Sequence, residues 1–128
     1  MDAGKVIAYL LNSNADLSAI VGDKIYPLAI DEHRVYPAVV YGIESSPLQS
    51  KDILPEREVR VKIDCYGKTY AESKAIAAQV EKSLHGYEGQ VNNILVKYMA
   101  LENASDGHFE DKGVKLFQDS QDFKMIAL

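Results

Sequence analysis

Residues 58–89 read EVRVKIDCYGKTYAESKAIAAQVEKSLHGYEG, a ribbon running straight into a helix, which confines the chain to folds where a helix lies across a sheet. Val59, Val61, Ile63 and Cys65 fall on one side of a period-2 pattern, and Glu58, Arg60, Lys62, Asp64 and Tyr66 fall on the other. One face is dry and the other wet. After Gly67, positions 69–84 set Ser73, Ile76, Ala77, Val80 and Leu84 at helical spacing, with Glu72, Lys74, Gln79, Glu81 and Lys82 turned elsewhere. Thr69 is the expected N-cap, with Glu72 completing a capping box. Gly86 supplies the left-handed stop that glycine adopts without strain. No catalytic constellation runs along this unit, so its work is assigned to surfaces.

The remainder divides into short elements. Val6, Ile7, Tyr9, Leu10 and Leu11 are arranged helically over 5–11, the Asn12-Ser13-Asn14 run interrupts them, and 16–21 supplies a second helical turn closed by Gly22. Residues 25–28 and 37–44 read as strands, the second apolar on both faces at Val39 and Val40, as an interior strand would be. The segment 45–56, with Ser45, Ser46, Pro47, Ser50 and Pro55, reads as a loop of unusual length. A strand is expected at 93–102, a polar loop at 103–113, and a last strand over 114–127 with a break around 119–122. The expected fold is two-layer α+β: a mostly antiparallel sheet of about four to five strands, packed by one long helix and a short N-terminal helical pair. One domain, 1–128, holds all of it.

Composition removes several function classes. A chain of 128 residues buries roughly two thirds of the surface its unfolded form exposes, so no staple is required. Hydrophobic residues at 47% and charged residues at 26% are globular values, and no apolar run reaches the ~20 residues of a membrane span. The N-terminal residues Met1-Asp2-Ala3-Gly4-Lys5 lack a signal-peptide pattern, so synthesis in the cytoplasm is expected. Cys65 is the sole cysteine; it is read as a small buried hydrophobe, not a reactive thiol. A net charge of −5 argues against a protein that grips phosphate backbones through clustered Lys and Arg.

Candidate chemical sites are weak. His33, His85 and His108 have no second ligand at helical metal-site spacing. Asp106, His108, Glu110 and Asp111 could surround a cation, but they do not follow the alternate positions of a Ca²⁺ loop, and a solvated hairpin loop accounts for them better. Ser105, His108 and Asp111 can be written as a nucleophilic triad, yet no nucleophile elbow accompanies them. Gly86-Tyr87-Glu88-Gly89 has the outline of a nucleic-acid clamp without basic neighbours; a helix stop and turn explain both glycines. The charged turn Asp31-Glu32-His33-Arg34 reads as a solvated connection. No metal, no cofactor and no enzymatic activity are expected. The eight tyrosines are a positive signal, because tyrosine suits sites half buried in a monomer and covered in an assembly. Tyr66 is the foremost of these, against the equal alternative that it covers its own sheet edge.

The run VRVKIDCYGKTYAESKAIAAQVEKSLHGYEG, preceded by LLNSNADLSAIVGDKIYPL and YPAVVYGIESSP and followed by the strand Ser120-Gln121-Asp122-Phe123-Lys124, resembles the tail completion family of long-tailed bacteriophages, also called tail terminator or head-tail joining proteins. The similarity lies in the order and spacing of these parts across nearly the whole chain. It implies a virion or prophage structural protein that forms a ring, a hexamer, at the head-proximal end of the tail, terminating the tail tube and joining it to the head connector. DNA would pass through the ring without being specifically bound, lumen-facing acidity would repel its phosphates, and assembly would take place in the bacterial cytoplasm. Loops 45–56 and 103–113 are the expected contacts, with Leu48, Ile53, Leu54, Tyr66, His108 and Phe109 as candidate contact residues, because apolar groups in polar loops often await a partner. Two competing readings are a small-ligand binding or regulatory module, dimeric through a sheet edge, and a small hydrolase using the His108 loop.

Overall fold

The computed structural model describes residues 2–28, 35–45 and 56–128, with Ser45 described for its backbone alone. Leu48, Ile53 and Leu54, most of the 45–56 loop, and His33 lie outside the described residues.

Three helices and six strands follow one another as α1 (Ala3–Asn12), α2 (Ala15–Val21), β1 (Ile25–Pro27), β2 (Ala38–Ser45), β3 (Arg57–Gly67), α3 (Tyr70–Leu84), β4 (Gly89–Val91), β5 (Ile94–Asp111) and β6 (Val114–Ala127). The strands form one sheet in the order β1-β2-β3-β6-β5-β4, with β1 parallel to β2 and every other pair antiparallel. The α+β class stands, but the sheet exceeds the expected strand number. The addition is β4, three residues in what reads as a turn, too short to carry a periodic signal.

The alternation at 58–66 has the consequence expected of it. Val59, Val61, Ile63 and Cys65 are fully buried beneath α3, whose Ser73, Ile76, Ala77, Val80 and Leu84 face them. Phe123, Met125 and Ala127 of β6 and Met99 of β5 extend the same layer, while α1 contributes Val6, Ile7, Leu10 and Leu11 and α2 contributes Leu17 and Val21. Each of these large side chains stabilises the fold by about 1.5–3 kcal/mol through the apolar area it removes from water.

The helix ends are set locally. Thr69 Oγ1 accepts the Glu72 backbone N–H at 3.1 Å, and Glu72 Oε1 accepts the Lys68 N–H at 2.8 Å, a capping box displaced by one residue from the expected pairing. Asn14 caps α2 by accepting the Leu17 N–H at 3.0 Å; its amide also donates to Ser83 Oγ at 2.8 Å and to the Gln79 carbonyl at 3.1 Å. One side chain thus ties α2 to α3. Gly67 allows α3 to fold back over the end of β3, since a Cβ there would lie 2.5 Å from the Ser73 backbone nitrogen.

The expected loop at 103–113 is a correction. Those residues continue β5 to Asp111, and the chain reverses at Lys112 and Gly113, whose φ angles of 53° and 82° suit a type I′ hairpin turn. Strand β6 runs unbroken through 119–122. Side chains at 102–108 are exposed, so this half of β5 lacks the dry face that marks a strand in sequence.

Candidate interaction surface

The β5–β6 hairpin is fastened from both faces. On the helix side, Asp106 of β5 accepts the Tyr70 hydroxyl at 3.0 Å and pairs with Lys74. Lys74 also meets Asp119 of β6 at 2.9 Å and lies 5.3 Å from the Tyr70 ring centre. Tyr70 meets Phe117 edge-on at 6.2 Å. The Lys74 ammonium holds the Asp106 carboxyl below its ordinary range, helped by the Tyr70 hydroxyl; the two carboxylates, Asp106 foremost, push the lysine upward. The first turn of α3 therefore grips both strands of the hairpin.

On the opposite face Tyr66 is the middle ring of three, 5.9 Å from Tyr36 at an interplanar angle of 65° and 5.6 Å from Phe109 at 84°. Edge-to-face contacts of this kind contribute about 0.5–1.5 kcal/mol beyond the area they bury. Tyr36 donates its hydroxyl hydrogen to Asp111 at 3.2 Å. Leu116, directly opposite Phe109 in register, is buried although it stands outside the helix-side core. Burial, and next the nearby Asp64 carboxylate, raise the Tyr66 hydroxyl to about 12.

Farther along this face charges are matched in pairs. Arg60 meets Glu58 at 3.5 Å and also Glu102, Lys124 meets Glu58 at 2.9 Å, and Lys97 meets Glu56. Asp64 Oδ1 accepts hydrogens from Ser120 Oγ at 2.6 Å and Gln118 Nε2 at 3.0 Å. The Lys124 hydrogen bond is the main cause that lowers the Glu58 carboxyl.

Of the residues singled out in sequence, Tyr66 and Phe109 come together in the aromatic trio. His108 points to the opposite face from Phe109 and is exposed, opposite Phe117 in register. Sequence reasoning overlooked Tyr36, Lys74, Leu116 and Asp119 and weighed Asp111 only as a cation ligand or triad member; these residues complete the two clusters from distant segments. His85 has a structural part, its Nδ1 accepting the Leu101 backbone N–H at 3.0 Å. Cys65 is buried, and desolvation pushes its thiol up, the neighbouring Asp119 and Asp64 adding to it. Among the described residues no group of three or more His, Cys, Asp and Glu could hold a metal ion.

Among the described residues, part of the β5 edge has no partner strand. Strand β4 covers β5 only at Ile94, Leu95 and Val96, and His85 and Gly86 cover it at Leu101 and Met99. Beyond these, residues 103–110 have β6 on one side and, among the described residues, no strand on the other. Between Asn103 and Phe109 there is no Pro and no Lys, the residues that usually guard such an edge.

Residues 5–127 match the family model described as tail completion protein gp17. The chain belongs to that family. As a tail completion protein it is a structural component of the phage tail, serving the junction of tail and head. Its fold is shared with a chain from the virion of a native gene transfer agent particle, at a TM-score of 0.72 and 19% identity, covering 98% of this chain and 97% of that one. A looser likeness joins it to the gp17 protein of bacteriophage SPP1, at a TM-score of 0.47 and 21% identity, covering 92% and 86% of the two chains. A comparison with curated proteins finds no match.

Proposed function

We propose that this tail completion protein acts as a ring of copies, six by the family resemblance, seated on the head-proximal end of the tail tube and presenting a landing surface to the head connector. The observation that carries this reading is the family match over 5–127. A head-to-tail interface repeated by rotation closes a ring and leaves no free end, which is how a part can both stop a tube and offer a new surface. The open edge at 103–110 and the segment around Leu48, Ile53 and Leu54 are the contacts we assign to neighbours. The edge supports this assignment because it lies on an arm fixed from both faces, so a partner strand would meet a backbone already ordered. DNA passes through the ring without being specifically bound, and the protein carries out no chemistry of its own.

Complementation tests the role. A phage deleted for this gene should accumulate filled heads and separate tails, and purified protein added to the lysate should restore joined particles. Joined particles in the deletion strain, without the protein, would refute it. Protein lacking residues 49–54 should fold and fail to join heads to tails; full joining activity would remove that segment from the contacts.

A further inference from the structure

Leu28 is 80% exposed and has a φ of 68°, a backbone conformation that a leucine adopts only at a cost and only where its surroundings impose it. Here its N–H donates to the Tyr41 carbonyl at 2.8 Å, and the preceding Pro27 is itself exposed. A bulky apolar side chain is thereby held out at the β1 edge of the sheet. Elsewhere on the same chain a cavity of about 340 Å³ lies at the hairpin turn, lined by Val35, Tyr36, Val114 and Leu116 with Lys68, Lys112 and Asp111; Val35 and Val114 are 49% and 56% exposed. We propose that the Pro27-Leu28 knob of one copy enters this cavity on the next copy, a contact that rests on the ring assigned to this protein and gives it a specific interface.

Placement and charge both favour a second copy. Strand β1 is one edge of the sheet, and the β5–β6 turn lies beyond β2 and β3, so each copy offers its knob to one neighbour and its cavity to the other. A contact between two different patches closes a ring when repeated by rotation. Within its own chain Leu28 lies over Gly42, where an added Cβ would be 3.5 Å from Leu28 Cδ2, and it does not line its own cavity. Beside the knob, Glu44 and Asp64 outnumber Lys62. Around the cavity the sign reverses, two lysines against Asp111, whose carboxylate takes the Tyr36 hydroxyl hydrogen at 3.2 Å. In a chain of net charge −5, the knob thus carries the negative excess and the cavity the positive one, which steers copy onto copy in one orientation.

Leu28→Gly tests the contact without threatening the fold, because glycine accepts a φ of 68° without strain and only the knob is lost. The variant should keep the wild-type circular dichroism and associate about tenfold more weakly or worse; wild-type ring assembly on tail tubes would overturn the contact. Cross-linking gives a second reading. Leu28→Cys and Val114→Cys, made in separate chains, mixed on tail tubes and oxidised, should give disulfide-linked pairs, and either variant alone should give none, since Cys65 is buried. A mixture that forms rings without linked pairs would place the interface elsewhere and leave the ring standing, whereas wild-type protein that forms no ring beside its tubes would overturn both.

Discussion

Lys74 on α3 lies 2.9 Å from Asp119 on β6, and only the aspartate is buried, so the lysine supplies from the surface what the carboxylate needs to remain inside. Removing the lysine strands a charge, which costs more than an exposed ion pair contributes. Lys74→Met should destabilise the domain by about 2 kcal/mol, measured by urea unfolding. Asp106→Asn, which removes only the exposed partner, should cost visibly less. Equal losses would mean that Asp119 is satisfied in some other way.

Acid should weaken the same grip. Lys74 lowers the Asp106 carboxyl in this grip, and on the opposite face Lys124 lowers that of Glu58. A depressed carboxyl contributes stability that is present above its unfolded value, about 4, and lost as pH falls through the folded one. Melting temperature should drop as pH is taken below about 4, and the Lys74→Met variant should show a shallower drop. A parallel decline in both proteins would separate the hairpin clamp from acid sensitivity.

Alkali acts on the other face. With the Tyr66 hydroxyl raised from 10.0 to about 12, the folded state keeps a proton that the unfolded state releases, so stability is full below about 10 and falls as pH rises from there toward about 12. Tyrosinate absorbance should show a step near about 12 for Tyr66, beside Tyr41, whose hydroxyl burial also raises. Tyr66→Phe should abolish that step and flatten the alkaline loss of stability, while Tyr66→Ala, which also removes the middle ring of the trio, should cost about 2 kcal/mol at neutral pH. A step near about 12 surviving in Tyr66→Phe would contradict the assignment.

What could be read in the sequence, and what could not, follows from where apolar side chains fall. The pattern at 58–84 was legible because α3 covers one face of β3 and water wets the other, so burial is written as alternation and then as helical spacing. Thr69 and Gly86 mark the ends of that helix by their own chemistry. The far half of β5 was illegible for the opposite reason. Its helix-side contacts are Asp106 with Lys74 and Tyr70, both polar, and its neighbours Ala104, Ser105 and Gly107 are small, so a true strand there has the composition of a loop. The aromatic trio escaped notice because Tyr36, Tyr66 and Phe109 come from three segments that only the sheet order brings together.

The junction of α2 and α3 rests on Asn14, which caps one helix and donates to the other. Asn14→Ala should cost about 1–2 kcal/mol by chemical denaturation. Asn14→Ser, which can still cap but cannot reach Ser83 and Gln79, should recover about half. A neutral Asn14→Ala would show that α2 is held by Leu17 and Val21 alone.

At the hairpin turn Lys112 has a φ of 53°, a conformation that disfavours most side chains but suits asparagine. Lys112→Asn should raise stability by about 0.5 kcal/mol, read as a small rise in melting temperature. Gly113→Val should lower it, because valine cannot adopt the following left-handed position without strain.

The decisive measurement for the role at the tail end is electron microscopy together with native mass spectrometry of the purified protein, alone and mixed with its own tail tubes. Closed rings with an open centre, seated at one end of the tubes, are predicted. A protein that stays monomeric even beside its tubes and leaves both tube ends bare would contradict the account.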